Sequence, residues 1–477
     1  MIKSIISSLS LSYCLCYNTP IPPTIINKVF PSDFIFGTST SSYQVEGGWL
    51  DGGKGLSNWD AFSHTPGSIS NGDTGDIAND MYHLYPQDIQ IMKQQGLKHY
   101  RFSISWNRIL PTGIDIVNQQ AIDYYNDLIN QLLENGVEPH VTIFHNDIPL
   151  ALMMYPHGNQ PFLDSENFPT WFTNYAQVLF DNFGDRVKHW FTFNEPFCTA
   201  VFGPIGDSDP YVIAHNAILA HAQTVQLYRT KYQSTQKGTI GIVLNTAHFY
   251  PKDPNNLDDV AAAQRSYDFW YGWFMDPLTK GDYPESMRTT VGSRLPSFTD
   301  EQKQLIKGSL DFVALNYYFP YLASPGTMTD ADAPSFWKDM NVSSTFADNW
   351  PLSQTGWGIY GPGLRDLLIY TAQTYNNIPQ YVTENGLAWE EKTVDDAVND
   401  VMRQQYLYDH IDAVGQAILN GVNIKGYFIW SFQDNLEWAS GYQMHFGIIW
   451  IERPSLQRVI KDSLRWYSDV LKTFYNQ

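Results

Sequence analysis

The sequence predicts an α/β fold, a single (β/α)8 TIM barrel with long loops after its strands. Three observations predict it. Eight short runs rich in β-branched and aromatic residues recur along the chain. Amphipathic, helix-like segments separate them, the pattern of parallel β/α units. Unusual polar residues gather where the runs end.

The strand-like runs are FIFGTST (34–40), KHYRFSIS (98–105), EPHVTIFH (138–145) and VKHWFTFN (187–194), then TIGIVLN (239–245), DFVALNYY (311–318), PQYVTEN (379–385) and IKGYFIWSF (424–432). Between the first two, Tyr85, Ile89 and Met92 share one helical face; Ile122, Tyr125, Ile129 and Leu132 do so between the next two. Further helical stretches cover 170–183, 212–232, 258–274, 363–376 and 397–420. The stretches 246–258, 275–310 and 319–361 read as the long loops. The alternative is a doubly wound open sheet, but no glycine-rich phosphate loop follows the first run.

Only 16% of the 477 residues are charged, against roughly 25% in ordinary domains, while 15% are aromatic. That balance suits a large core and a pocket that stacks on the C–H faces of sugars. The net charge of −20 is spread along the chain. It argues against nucleic acid or anionic lipid as a partner. No run approaches the ~18 apolar residues of a membrane span.

The N-terminus, MIKSIISSLSLSYCLCY, places Lys3 before a short apolar segment and resembles a secretory signal. Residues 1–17 are therefore expected to be a leader, 18–477 the single domain, and the mature protein extracytoplasmic. Of Cys14, Cys16 and Cys198 only the last would remain, so no disulfide is expected within the mature chain. Asn341-Val342-Ser343 is the one glycosylation sequon. No His/Cys group has metal-ligand spacing and no G-x-S-x-G elbow is present. No metal or cofactor is expected.

The run KHWFTFNEPFC (188–198) frames the functional question. Strict alternation sets Trp190, Thr192 and Asn194 on one face and Phe191, Phe193 and Glu195 on the other. A carboxylate therefore ends a buried strand. Active sites of TIM barrels lie at the C-terminal strand ends. There the chain places His145, Asn194-Glu195, Asn316-Tyr317-Tyr318, Glu384-Asn385 and WSFQDNLEW (430–438). Glu195 and Glu384 would face one pocket from the fourth and seventh strands. Such a pair divides acid and nucleophile roles when its environments push the two pKa values apart, as glycoside hydrolysis requires.

TFNEP (192–196) and VTENG (382–386) resemble the paired signatures of glycoside hydrolase family 1, the β-glucosidase family. The resemblance extends through FIFGTSTSSYQVEG (34–47), YRFSISWNRILP (100–111), HNDIPLAL (145–152), HNAILAHA (215–222), DFVALNYY (311–318) and GYFIWSFQDNLEWASGY (426–442). It implies a retaining exo-β-glycosidase acting on a small β-glycoside. Glu195 matches the acid/base and Glu384 the nucleophile. Asn194 matches the residue that grips the 2-hydroxyl, and Tyr318 and Arg101 match groups that orient the nucleophile. Gln44, His145, Glu437 and Trp438 match sugar contacts, Trp430 the aromatic floor and Trp357 the aglycone side. The chain departs at Asn146, where the family usually has Trp. It departs also at His445, where Arg is common, and at TST-S for AT-A near Gln44. A transglycosidase and a catalytically inactive sugar-binding relative are the alternatives.

Overall fold

The computed structural model describes residues 29–154, 160–203, 209–329 and 331–476. The expected leader, with Cys14 and Cys16, lies outside them. Eight parallel strands close into a barrel: β1 (Ile35–Ser39), β2 (His99–Ser103), β3 (Glu138–Phe144), β4 (His189–Asn194), β5 (Thr239–Asn245), β6 (Val313–Asn316), β7 (Gln380–Asn385) and β8 (Ile424–Trp430). Neighbours pair in chain order and β8 returns to β1, with Ile35 opposite Gly426. Closure rules out the open-sheet alternative.

The helices follow the strands: α1 (Met81–Gln95), α2 (Gln119–Glu134), α3 (Phe168–Phe183), α4 (Pro210–Leu227), α5 (Leu257–Tyr267), α6 (Pro362–Thr374), α7 (Val401–Leu419) and α8 (Asp462–Tyr475). Local chemistry marks their ends. The Asn118 side chain accepts from Gln120 N–H to cap α2, and Gly96 takes the left-handed conformation that stops α1. Ile122, Tyr125, Ile129 and Leu132 bury the face of α2 that their spacing predicts. On α1, Ile89 and Met92 are buried, whereas Tyr85 is only partly so and bonds Asp127 on α2.

The three expected loops are not structureless. The stretch 275–310 carries short helices, including Glu285–Val291 and Asp300–Ile306. Phe249–Pro251, Tyr321–Pro325 and Val342–Thr345 form a separate three-stranded sheet. Those strands are three to five residues long. That length holds too little alternation to register as a sequence pattern.

Strict alternation also fails on β4. Phe191 lies inside the barrel with Val243, Phe312, Ala314, Tyr381 and Phe428. Trp190 meets Phe180 of α3, and Thr192 bonds His221 of α4. Phe193 stacks on Phe172 of α3, so it faces outward beside Thr192. The cause is a bulge: Phe191 pairs with Gly241, but Asn194 pairs with Val243. Two strand residues are passed on β4 for one on β5, and Asn194 returns to the interior. The same device recurs on β7, where Val382 pairs with Leu315 and Glu384 with Asn316. Bulges re-aim side chains, and here both precede a glutamate or its neighbour.

Candidate active site

A cavity of about 390 Å³ opens at the C-terminal end of the barrel. Its wall includes His145, Asn146, Asn194, Glu195, Tyr318, Trp357, Glu384, Trp430, Glu437 and Trp438. Ten of the twelve sequence-predicted site residues therefore meet in one pocket. The other two, Arg101 and Gln44, are wholly buried and are absent from its wall.

Glu195 follows the end of β4 with φ 51° and ψ 58°. A left-handed conformation in a residue other than glycine carries a penalty of roughly 1–2 kcal/mol. Its N–H donates to Val243 O at 2.9 Å, and its carbonyl accepts from Cys198 N–H at 2.9 Å. These bonds hold the turn from strand into the helix Pro196–Val201.

Arg101 reaches both sides of the pocket floor. Its Nη1 donates to Glu384 Oε1 at 2.8 Å, and its Nη2 to Asn194 Oδ1 at 2.6 Å. Tyr318 Oη donates to Glu384 Oε2 at 2.8 Å. The nucleophile candidate is thus gripped at both oxygens. Glu195 receives instead a neutral donor, Asn316 Nδ2 at 2.7 Å. Sequence reasoning noticed Asn316 at a strand end but gave it no role; its spacing from Tyr318 was the available signal.

The carboxylates differ electrostatically. Burial and the nearby Glu384 charge push Glu195 up to about 7. Burial also raises Glu384, but Arg101, by charge and hydrogen bond, opposes the rise. The cation therefore limits the upward shift rather than driving the pKa below its ordinary value. Glu437 is pushed up to about 8 by burial and by both other glutamates. Trp430 donates to it, and Gln44 Nε2 stands 3.4 Å from its Oε2. Gln44 also donates to Leu436 O at 3.0 Å and accepts from Ser41 Oγ at 2.6 Å, so it braces the segment carrying Glu437.

Aromatic rings shape the rest. The His145 ring lies nearly parallel to Trp430 and Trp438, with centroids 5.7 and 6.0 Å away. Burial holds its pKa well below the ordinary value, so it is neutral. Its Nδ1 is buried with no partner among the described residues. Trp357 stands 5.4 Å from the Tyr318 ring and lines the cavity together with the exposed Phe202. Asn146 adopts φ 66°, which asparagine tolerates, and its Oδ1 accepts from Thr199 Oγ1 at 2.5 Å. The pattern of strand ends did not single out Thr199 or Cys198. His445 is outside the wall, with Nδ1 3.5 Å from Glu391.

Comparison with known proteins agrees with this geometry. A family model described as glycosyl hydrolase family 1 matches residues 26–475. Beta-glucosidase 12 of Oryza sativa subsp. indica is 44% identical over 490 residues, covering 95% of each chain. A crystal structure of a rice beta-glucosidase superposes with a TM-score of 0.90 at 38% identity, over 93% of this chain and 98% of that one. A GH1 beta-glucosidase from the fungus Humicola insolens, in complex with glucose, gives 0.89 at 36% identity, over 93% and 98%.

Proposed function

The chain belongs to glycosyl hydrolase family 1, and from that premise we propose that Glu384 is its nucleophile and Glu195 its acid/base. The protein is a retaining O-glycosyl hydrolase of the β-glucosidase type, and its substrate is a β-glycoside. Transglycosylation and loss of catalysis are not favoured readings.

One observation carries the assignment of roles. Arg101 and Tyr318 both bond Glu384, while Glu195 has only neutral hydrogen-bond donors and is pushed up to about 7. The carboxylate next to the cation ionises first and attacks C1. Glu195, still protonated, gives its proton to the departing glycosidic oxygen. Esterification then removes the Glu384 charge, one of the two causes that raise Glu195. Its pKa falls, and it takes a proton from the water that attacks C1 from the face the aglycone left. Two inversions give net retention.

The remaining wall residues fit a sugar. The Asn194 carbonyl is occupied by Arg101 and Asn316, so its amide is the end available to a 2-hydroxyl. His145 Nδ1 lacks a partner among the described residues, which a hydroxyl would supply. Glu437, braced from behind by Gln44, faces the position of further hydroxyls, and Trp430 and Trp438 offer flat faces to the ring. Among the described residues the wall holds no lysine or arginine to pair with a phosphate, and the Glu384 carboxylate opposes one.

We also read residues 1–17 as a secretory leader on the basis of Lys3 and the apolar segment after it. N-terminal sequencing of the native protein tests this; a chain beginning at Met1 contradicts it. For the catalytic roles, a 2-deoxy-2-fluoro-β-glucoside with a good leaving group should leave its sugar on Glu384. A labelled peptide that lacks Glu384 overturns the assignment.

A further inference from the structure

We infer that Thr383 and Asn316 form a positioning pair that aims an N–H at the acid/base Glu195, in register with the guanidinium that holds Glu384. The inference rests on Glu195 being the acid/base.

The four side chains involved are almost fully buried, Arg101 and Thr383 at 0% exposure and Asn194 and Asn316 at 1%. Arginine is a donor only, so Arg101 Nη2 at 2.6 Å requires the oxygen of Asn194. That oxygen also faces Asn316 at 3.1 Å, which must therefore present its nitrogen. The same nitrogen lies 2.7 Å from Glu195 Oε1. The Asn316 oxygen is left pointing away from the pocket, where Thr383 Oγ1 donates to it at 2.8 Å. The direction of every bond follows from the cation outward. Thr383 closes the chain by satisfying a carbonyl that would otherwise be buried unpaired.

The bulge on β7 makes this possible. It sets Glu384 opposite Asn316 and places the Thr383 hydroxyl over the end of β6. Arg101 thus orients one carboxylate directly and the other through Asn194 and Asn316. An N–H donated to Glu195 stabilises its charged form, the base of the second step. Without the Thr383 hydroxyl, the Asn316 carboxamide loses the bond that fixes its rotation, and that donation weakens. The other groups that face Glu195 are Glu384 from β7, Arg101 from β2 and Cys198 from the helix after β4. His145, Tyr318 and Glu437 line the same cavity. Arg101 Nη1 also donates to the Thr383 carbonyl, which the valine variant keeps, and Glu384 also takes a hydrogen bond from Asn316.

The test compares Thr383→Val, Thr383→Ser, Asn316→Ala and the Thr383→Val/Asn316→Ala double variant. The measurement is the pH profile of kcat/KM on nitrophenyl β-glucoside. Thr383→Val should lower kcat/KM about 2–13-fold, the effect of one neutral hydrogen bond, and move the basic limb to higher pH. Thr383→Ser should stay near the parent. Thr383→Val should add nothing once Asn316 is alanine, because a residue acting through another is non-additive with it. A stationary basic limb, equal damage in the valine and serine variants, or full additivity overturns the inference. Azide rescue of Glu195→Ala reports separately on Glu195. If rescue succeeds and the Thr383 arms fail, only the positioning pair is lost; if rescue fails, the acid/base assignment is lost.

Discussion

Arg101 Nη1 stands 2.8 Å from Glu384 Oε1, with both side chains withdrawn from solvent. The guanidinium also binds Asn194 Oδ1, Thr142 Oγ1 and Thr383 O, so its donors are spent on a fixed frame. A buried cation held this way acts on the reaction through position as well as charge.

Replacing Arg101 by lysine keeps a charge but loses the fork. Glu384 then rises in pKa, so less of it is ionised at a given pH and the acid limb of kcat/KM moves up. Loss of hydrogen bonds to a charged group should lower kcat/KM by about 10–150-fold. An unmoved acid limb would show that Arg101 does not tune the nucleophile.

Glu195 should cost the protein stability at neutral pH. Its pKa is about 7 in the folded chain against an ordinary 4.5, so the folded state holds the proton more tightly. Its contribution to stability is fully present below pH ~4.5 and is lost as pH rises through ~7. Glu195→Gln has no proton to lose. Its Tm advantage over the parent should be absent near pH 4.5 and open by a few degrees at pH 8. The ceiling is about 3 kcal/mol, reduced because the residue opens onto the pocket. An equal advantage at both pH values would remove the electrostatic explanation.

Asn146 is the departure from the family pattern that lines the cavity, and Thr199 fixes which way its amide faces. With Oδ1 taken, Nδ2 is the donor it has to offer. Asn146→Ala should lower kcat/KM about 2–13-fold. Thr199→Val should reproduce most of that loss, since it frees the amide to turn. Parental kinetics in both variants would mean that Asn146 does not touch the sugar.

The barrel was legible because each strand is a compact run of β-formers and helices such as α2 carry a periodic apolar face between them. The eight predicted runs match β1–β8 to within two residues at either end. Glu195 and Glu384 were legible as residues of one pocket because the two carboxylates end two strands of one barrel. What alternation misplaced was the facing of Phe193 and Asn194, because a bulge depends on the partner strand and leaves no mark on β4 alone. Thr383 was quoted within a motif yet given no part, since its bond to Asn316 crosses from one strand to the next. The short sheet formed by Phe249–Pro251, Tyr321–Pro325 and Val342–Thr345 was invisible for a similar reason: its pairing is tertiary, and each strand alone is too short.

The division of labour between Glu195 and Glu384 is tested most directly by the anomeric configuration of the glucosyl azide that each alanine variant forms. In Glu195→Ala, a dinitrophenyl β-glucoside still esterifies Glu384, and azide then enters from the β face; proton NMR should show the β-azide. In Glu384→Ala, azide takes the place of the missing nucleophile and displaces the leaving group once, giving the α-azide. The opposite pairing of variant and anomer would exchange the two roles, and α-azide from both would contradict a double displacement altogether.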